Sequence, residues 1–411
     1  MRSYPTYRDS GVGWLGELPE HWEVRQLAQV ASYRTSNVDK KSKDDEAPVR
    51  LCNYTDVYYQ DHIRASDGDF MPATASRGEI DRFKLYVGDI LITKDSEDWR
   101  DIAVPALIQE TADDFVCGYH LGILRSGPFI EPTFLFRAMQ SVAVNQQLQV
   151  SASGVTRYGL PNAAVGNVLV PLPPLDEQRD IAAFLDRETE RIDSLIAKKR
   201  LLIERLQEYR TALITRTVTR GLPPEAARAA GLDPSPRLKP SGVEWLGDVP
   251  EHWESLKPSY GFDQIGSGTT PKSDAEEYYD GTTPWVTTSE LRETTIRETA
   301  KTVTASALAD YPSLKIFPSG SLANAMYGAT IGRLGILGIQ ATVNQACCVF
   351  ARPTRLSTRF VYHWLRGFRD VLSANSAGGG QPNLSQEFLR SLRIPAPTHP
   401  EQELIADHLD A

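Results

Sequence analysis

The sequence predicts an α+β fold in which two similar mixed α/β modules, related by a pseudo-twofold internal repeat, are separated by a long helix of the coiled-coil type. The first observation is that SGVGWLGELPEHWE at 10–23 returns as SGVEWLGDVPEHWE at 241–254, with 11 of 14 positions identical. A second match relates VPLPPLDEQ at 170–178 to IPAPTHPEQ at 394–402. Because the matched segments bound two stretches of unlike sequence, each half is predicted to be the same module with a different interior.

The third observation is a long helix between the modules. Residues 176–219 contain neither glycine nor proline, and apolar residues recur there at heptad spacing. At about 1.5 Å per residue, some 40 helical residues would span roughly 60 Å. A stripe this narrow favours a second helix as its partner, with packing on its own domain as the alternative. The predicted helix–helix interface consists of Leu185, Ile192, Leu195, Leu202, Leu206, Tyr209 and Leu213.

The unlike stretches are typical of short strands with few helices. In the first half, runs such as LYVGDILITKD and FVCGYHLGILRS end at Gly, Asp or Ser, and one helix is predicted over 132–150. The second half repeats this texture in PWVTTSEL and GRLGILGIQATVNQACCVF, with a helix near 358–372. The predicted boundaries are 1–174 for the first module, 175–220 for the long helix, 221–240 for a surface linker, 241–397 for the second module and 398–411 for the start of a second helix.

Composition bounds the class of protein. A chain of 411 residues with 41% hydrophobic and 24% charged residues is typical of a globular protein with two cores. The chain shows no apolar run of membrane-helix length and its first residues lack the apolar core of a signal peptide, which predicts a cytoplasmic protein. The four cysteines show no metal-binding spacing and are expected to be buried thiols.

The charge distribution points toward a specific partner. The net charge of −9 argues against indiscriminate binding to polyanions. Residues 281–398, however, carry 12 basic and 6 acidic side chains, and ten of the basic residues are arginines. Arginine presents a fork of donors suited to phosphates and guanine edges, although a solvated basic surface would give the same count.

No catalytic or metal-binding constellation is recognisable, so no catalytic residue and no metal ligand is predicted. The motifs GxxxxGK[ST], HExxH and GxSxG are missing from the sequence. His21 and His252, in the repeated Glu-His-Trp triplets, are expected to pack or to cap. The acids of GDILITKD lack the paired acidic-x-Lys element of a nuclease metal centre, so this run is predicted to be a structural strand.

The repeated motifs, the junction PLPPLDEQRDIAAFLD, and PWVTTSEL and YGATIGRLGILGIQATVNQACCVF in the second half resemble the DNA-specificity subunit of type I restriction-modification systems. The resemblance covers essentially the whole chain. It implies two target recognition domains, each reading one half of a split DNA sequence, held apart by two antiparallel conserved helices. It also implies two modification subunits that bring S-adenosylmethionine and methylate adenine, and restriction subunits that add ATP- and Mg-dependent translocation and cleavage. No cofactor is expected on this chain.

The candidate DNA-contacting residues lie in the unlike interiors, because donors and acceptors at base edges read sequence while phosphate contacts set register. In the first module they are Tyr33, Arg34, Thr35, Ser36, Asn37, Lys94, Ser96, Thr156, Arg157 and Tyr158. Gly154 precedes the last group and allows a close backbone approach. In the second module they are Thr269, Thr270, Lys272, Thr287, Thr288, Ser289, Tyr327, Asn344, Gln345 and Gln381.

The repeated tryptophans have two interpretations. Trp14, Trp22, Trp245 and Trp253 either pin the first segment of each module to its core, or form a shared surface for the common modification subunit.

The second copy of the junction stops at Ala411, which corresponds to Arg187 in the first copy. A full second helix would extend to about residue 443, so the second helix is expected to be truncated. Its place beside the first would be taken by another subunit or a second copy, and an uncovered stripe predicts self-association.

Two other classes of function stay open at this point. One is a bivalent protein-interaction scaffold, whose binding would depend less on salt than DNA binding does. The other is a stand-alone nuclease or methyltransferase, which would need a metal or cofactor site.

Overall fold

The computed structural model describes residues 4–13, 15–374 and 383–411. The backbone divides into two compact units, Met1–Ala197 and Lys198–Ala411, with the division inside the long helix.

The first unit is built around a mixed five-stranded sheet. In spatial order its strands are Ala31–Thr35, Leu121–Ser126, Ile90–Thr93, Pro105–Glu110 and His62–Arg64. Neighbours are antiparallel except for the last pair. A second sheet has the order Phe115–Cys117, Ala47–Cys52, Met71–Ala75, parallel and then antiparallel. The central strand, ILIT, is buried along its whole length, as its apolar sequence predicts for a strand covered on both faces.

The second unit has the same sheets. Its five-stranded sheet runs Phe262–Gly266, Cys347–Pro353, Leu322–Ala325, Leu334–Leu337 and Thr295–Ile296, again antiparallel except for the last pair. Its second sheet runs Thr342–Val343, Tyr279–Val286, Lys301–Val303, parallel and then antiparallel. The internal repeat therefore continues, strand for strand, through the interiors whose sequences differ.

Each unit is closed by strands from its two ends. Glu23–Gln26 pairs with Leu169–Leu172 in the first unit, and Glu254–Leu256 pairs with Ile394–Ala396 in the second. These four strands are called the stem strands. They contain or adjoin the segments that match between the halves, so the matched sequence forms the frame of each unit.

The predicted linker, 221–240, is not wholly a linker. Its last residues, Leu238–Pro240, form a strand paired with Asp248–Pro250, just as Tyr7–Asp9 pairs with Glu17–Pro19. The structural repeat thus begins one strand before the identical residues. The sequence hid this strand because LKP and YRD share no residue.

Short helices complete the units. In the first they are Leu27–Val30, Tyr54–Tyr59, Arg77–Phe83, Pro132–Gln140, Val142–Ser151 and Asn162–Asn167. In the second they are Pro224–Ala229, Pro258–Gly261, Ala305–Asp310, Thr358–Gly367, Arg369–Ala374, Gln386–Ser391 and His399–Asp410. The first of these lies within the predicted linker, which therefore contains a helix as well as a strand.

The single helix predicted over 132–150 is two helices. The hydroxyl of Ser141 donates to the carbonyl of Ala138 and accepts from the amide of Val144. One side chain thus ends the first helix and caps the second, a role for which serine is well suited. The helix predicted near 358–372 is likewise broken, at Phe368.

The long helix is confirmed as one continuous element, Leu175–Arg220, of 46 residues. Its start buries Ala182 in the first unit and its end buries Ile214 and Val218 in the second. Residues 191–212 are exposed on all faces. Of the predicted interface residues, Leu185 and Leu213 are half-buried, whereas the remaining five are more than half exposed: Ile192, Leu195, Leu202, Leu206 and Tyr209.

All four cysteines, Cys52, Cys117, Cys347 and Cys348, are buried free thiols, as the sequence predicted. Burial raises the pKa of Cys348 to about 12, which keeps the thiol protonated and unreactive at neutral pH.

Candidate nucleic-acid interface

The two repeated motifs of the first unit contact each other. Glu177, in the junction, accepts a hydrogen bond from Nε1 of Trp22 at 3.2 Å. Its other oxygen lies 2.9 Å from Nε2 of His21. The Glu-His-Trp triplet therefore fastens the first segment of the unit to the start of the long helix. We call Glu177, Trp22 and His21 the end clamp of the first unit.

The second unit repeats this clamp. Glu401 accepts from Nε1 of Trp253 at 3.0 Å and lies 3.1 Å from Nε2 of His252. Trp253 is fully buried, and Trp245 packs against the aromatic core nearby. These contacts support a packing role for the repeated tryptophans, while Trp14 lies outside the described residues.

A buried glutamine completes each frame. The carbonyl oxygen of Gln402 accepts from the amide of Ser357 at 2.6 Å, and its amide donates to the carbonyls of Arg355 and Pro397 at 3.0 and 2.9 Å. Gln178 makes three equivalent bonds in the first unit. Both side chains are fully buried, so the repeated Glu-Gln pair is explained by hydrogen bonds that hold the frame.

Two predicted groups of the first module meet where the central strand of the five-stranded sheet ends. The amide of Lys94 donates to the carbonyl of His120 at 3.1 Å, and the carbonyl of Lys94 accepts from Leu160 at 2.8 Å. The two-residue strands Asp95–Ser96 and Tyr158–Gly159 then pair. The predicted candidates near residues 94 and 157 are therefore adjacent.

Asp95, which was not predicted, is the centre of this site. Its Oδ1 accepts from Nε of Arg157 at 2.9 Å, and its Oδ2 lies 2.6 Å from Nδ1 of His120. The ammonium group of Lys94 lies over the ring of Tyr119, 5.5 Å from its centroid. His120 has φ of +71°, a conformation that non-glycine residues seldom adopt, at the point where the strand begins. The site thus combines fixed cations with a buried carboxylate.

Three tyrosines that were not predicted from the sequence lie beside this site. Tyr54 lies close to Ser96, and its ring stacks on that of Tyr58 with centroids 5.7 Å apart. The hydrogen bond from Tyr58 to Asp101 raises the pKa of the tyrosine to about 12. Tyr59 is 78% exposed. The run NYTDVYY, with tyrosines four residues apart on a helix, was the signal that could have found them.

The group Tyr33 to Asn37 is only partly available. Ser36 is buried and donates its hydroxyl to the carbonyl of Cys117 at 2.6 Å. The hydroxyl of Tyr33 is buried and has no hydrogen-bond partner in the described part of the chain, and burial raises its pKa. These two polar groups face the protein rather than a ligand, because Tyr33 lies within the edge strand Ala31–Thr35 and Ser36 follows directly after it. Thr35 is half-buried, and Arg34 and Asn37 are exposed.

Gly154 has a structural role that differs from the predicted one. Ser153 and Gly159 bridge, so the segment between them is a tight turn. At Gly154, φ is +149°, and an added Cβ would lie 2.0 Å from the carbonyl oxygen of Arg157. The close backbone approach is therefore made to the turn itself, and it fixes the segment that carries Thr156 and Arg157.

The candidates of the second unit also gather at strand ends. The carbonyl of Thr269 accepts from Nε1 of Trp285 at 3.2 Å, and the hydroxyl of Thr270 donates to Gln345 at 2.5 Å. An added Cβ at Gly268 would lie 1.7 Å from a backbone oxygen of the neighbouring strand, so this segment lies directly on the sheet. Glycine is required there.

A second pair of groups meets at the end of the longest strand of the second unit. The amide of Asn344 donates to the carbonyl of Val286 at 2.9 Å. The hydroxyl of Thr287 lies 2.8 Å from that of Ser289, and Thr288 is half-buried. Asn344 and Gln345 are thereby placed beside the threonines.

The remaining candidates are more scattered. Tyr327 follows the central strand, is 37% exposed and bridges to Asn383 through its backbone. Lys272 is exposed. Gln381 lies outside the described residues.

Comparison with known proteins decides the family. The profile of the type I restriction modification DNA specificity domain matches residues 19–205 and 250–411. The chain belongs to this family. The type I restriction enzyme MjaVIII specificity subunit of Methanocaldococcus jannaschii is 22% identical over 404 residues, which cover 95% of this chain and 86% of that protein.

Two solved structures share the fold of this specificity subunit. A chain from a structural study of complex assembly and conformational transition of the type I R-M system has a TM-score of 0.68 at 20% identity, covering 96% of this chain and 90% of that one. The HsdS subunit from Thermoanaerobacter tengcongensis has a TM-score of 0.52 at 19% identity, covering 96% and 89%. These likenesses confirm the predicted pair of mixed α/β domains with a long helix.

Family membership also settles the class of function. The protein is a non-catalytic DNA specificity subunit, and the chemistry of such a system belongs to its other subunits. The scaffold and stand-alone enzyme alternatives are thereby displaced. Within the described residues, no cluster of three or more His, Cys, Asp or Glu is arranged to hold a metal ion. None of the helices described there has both the length and the apolar character needed to span a bilayer.

Proposed function

We propose that each unit reads one half of a split DNA target with the side chains at the strand ends described above. The observation that carries this proposal is that the two units share the five-stranded sheet, the three-stranded sheet, the strand order within them and the end clamp, while their strand ends bear different chemistry. A shared frame with unlike readers is what two different half-sites require, because sequence is read by donors and acceptors at base edges.

One position illustrates the difference. The amide of Met326 donates to the carbonyl of Ala346 at 2.8 Å, which is the bond that Lys94 makes in the first unit. Tyr327 therefore stands where the first unit has Asp95. The equivalent position therefore bears a phenol in one unit and a carboxylate in the other.

The exposed candidates form the proposed reading surface. In the first unit they are Arg34, Asn37, Thr156 and Arg157, and in the second unit Thr270, Lys272, Ser289, Tyr327 and Gln345. The partly exposed residues Thr35, Lys94, Tyr158, Thr269, Thr287, Thr288 and Asn344 support them.

The repeat also bears on partners. Two copies of one frame offer two copies of one docking surface, which supports the binding of two modification subunits. Those subunits would bring S-adenosylmethionine and methylate adenine, and restriction subunits would add ATP- and Mg-dependent cleavage. The boundaries 1–174, 175–220, 241–397 and 398–411 then separate the two readers from the helical parts that hold the complex together.

The first test is selection of a randomised duplex pool by the protein with its modification subunit, at about 50 and 200 mM salt, followed by sequencing. We expect a split motif, two short defined blocks around a fixed gap. We also expect affinity to fall by about 10³-fold or more between the two salt concentrations, because phosphate contacts release counterions. Recovery of no motif at either concentration would contradict the proposal.

The exposed stripe of the long helix supports self-association or docking of another helix. Changing Leu202 and Leu206 together to Glu places two charges in the stripe and is expected to leave a monomer in light scattering, because each charge would have to be desolvated in a helix pair. Gln207→Glu, one residue outside the stripe, is the matched control and should not change the mass. An oligomer that survives the double change would exclude the stripe as the contact.

A further inference from the structure

Asp95 and Arg157 differ sharply in their access to solvent. The carboxylate side chain is 11% exposed, whereas the guanidinium side chain that it binds is 54% exposed. Both carboxylate oxygens are occupied, Oδ1 by Arg157 and Oδ2 by His120. Because the carboxylate is largely buried and both of its oxygens are bound within the protein, its effect on a ligand is expected to pass through the arginine.

The bond pattern leaves a defined edge of Arg157 free. Nε and Nη2 both donate to Oδ1 of Asp95. Nη1 makes no hydrogen bond within the part of the chain that the structure describes. One N–H bond of Nη1 and the second N–H bond of Nη2 are therefore free. The two bonds are nearly parallel and point away from the carboxylate. This spacing matches O6 and N7 of guanine in the major groove.

The backbone around Arg157 is also fixed before any ligand binds. Tyr158 pairs with Ser96, the turn is closed by Ser153 and Gly159, and only glycine fits at position 154. A long side chain held in this way loses less conformational freedom on binding, which favours a specific contact over a loose one.

We propose that Asp95 is a positioning residue that holds Arg157 to read a guanine in the half-site of the first unit. This inference rests on the proposed function. It adds the base that is read, which is guanine, the residue that reads it, Arg157, and the buried residue that holds the reader in place, Asp95. His120 anchors the second oxygen of the carboxylate and so fixes the direction of the pair. The second unit has Tyr327 and Ala346 at the places of Asp95 and His120, so the device belongs to the first half-site alone.

An arginine in a protein–DNA interface can instead contact a phosphate. A phosphate contact would weaken the binding of all sequences equally, whereas a guanine contact determines the base at one position. The two roles are therefore separable by sequencing the selected DNA, without knowledge of the target beforehand.

The experiment repeats the pool selection with Arg157→Ala, Arg157→Lys and Asp95→Asn, each in complex with the modification subunit. We expect Arg157→Ala to relax the preference for guanine at one position of one block by about 10- to 100-fold, the range for loss of a bidentate pair. Arg157→Lys should relax it similarly while it retains most of the affinity, since the point charge persists without the fork. Asp95→Asn should relax the same position to a smaller extent.

The other block serves as an internal reference and should stay unchanged in all three variants. Arg100→Ala is the matched control, because Arg100 is an exposed arginine bound through Nε and Nη2 to Asp98, close in sequence to the site. It should leave both blocks as they are. Thermal melting of each variant identifies one that has lost its fold, and Arg157 variants carry little such risk because the side chain is half exposed.

Three results would overturn the inference. Uniformly weaker binding with both blocks intact would assign Arg157 to phosphate. A lower melting temperature with both blocks intact would make the Asp95–Arg157 pair purely structural. A changed position that does not prefer guanine would reject the assignment of the base. If the wild-type protein selected no split motif, the proposed function itself would be contradicted. Failure of the inference about Arg157 and failure of the proposed function therefore give different results.

Discussion

Replacing Gln402 with Glu is expected to destabilise the second unit by roughly 3–5 kcal/mol at neutral pH, because a buried charge would be left without a partner. The change keeps the shape of the side chain and alters only its polarity. The amide that now donates to the carbonyls of Arg355 and Pro397 would become an oxygen facing them. The two hydrogen bonds from the amide of Gln402 would be lost, and the new carboxylate oxygen would repel the two carbonyl oxygens.

The loss of stability in the Gln402→Glu variant should depend on pH in a defined direction. Burial would raise the pKa of the introduced carboxyl group above the unfolded value of about 4.3, so the folded variant binds more protons than the unfolded one between the two pKa values. Stability of the variant therefore falls as pH rises through that window. The penalty is smallest below the unfolded pKa, where the protonated acid can donate one of the two bonds.

Hydrogen exchange of the strand Cys347–Pro353 would measure this loss within the second unit. Gln207→Glu, on the exposed part of the long helix, makes the same charge change and should alter stability by less than about 0.5 kcal/mol. A Gln402 variant as stable as this control would show that the three hydrogen bonds do not hold the frame.

Trp253→Ala is expected to destabilise the second unit by about 4 kcal/mol, the range for removal of a fully buried large aromatic side chain. The change leaves a cavity beside Phe360 and removes a donor from Glu401, which is itself buried. Chemical denaturation followed by hydrogen exchange of the second unit would measure the effect.

The repeat supplies the matched comparison. Trp22 occupies the same place in the first unit and also donates to its clamp glutamate, but it is only partly buried. Trp22→Ala should therefore destabilise the first unit by about half as much, since the hydrophobic contribution scales with the area removed from water. Equal losses in the two units would mean that the hydrogen bond, and not burial, determines the stability of the clamp.

The frame of each unit was predictable because the same contacts hold the frame in both units, so its residues recur in the sequence. Glu177 and Glu401 hydrogen-bond to the tryptophans of the other repeated motif, so both motifs recur together in the sequence. The long helix was predictable because helical periodicity is a local property of the sequence. Its boundaries at 175 and 220 follow from the prolines before it and the glycine after it.

The reading site was less accessible to prediction, because its contacts join distant parts of the chain. Asp95 and Arg157 lie 62 positions apart, and no periodicity links them. Ser36 and Tyr33 are predicted as readers from the sequence because they are polar residues of an expected loop in the unlike material between the repeats. The hydroxyl of Tyr33, within the edge strand, and the side chain of Ser36, directly after it, are instead buried, which the sequence of an edge strand does not reveal.

The stem strands determine when each unit can be completed. Gln26 pairs with Leu169, and Leu256 pairs with Ile394. The first strand of each stem is therefore synthesised long before the strand with which it pairs. At about 5–20 residues per second, the ribosome would need roughly 7–30 s to synthesise the interval. During that time Glu23–Gln26 has an unpaired edge, and contacts of such long sequence separation form slowly. Closure of each stem is therefore expected to come late in the folding of its unit, after the second stem strand has been synthesised.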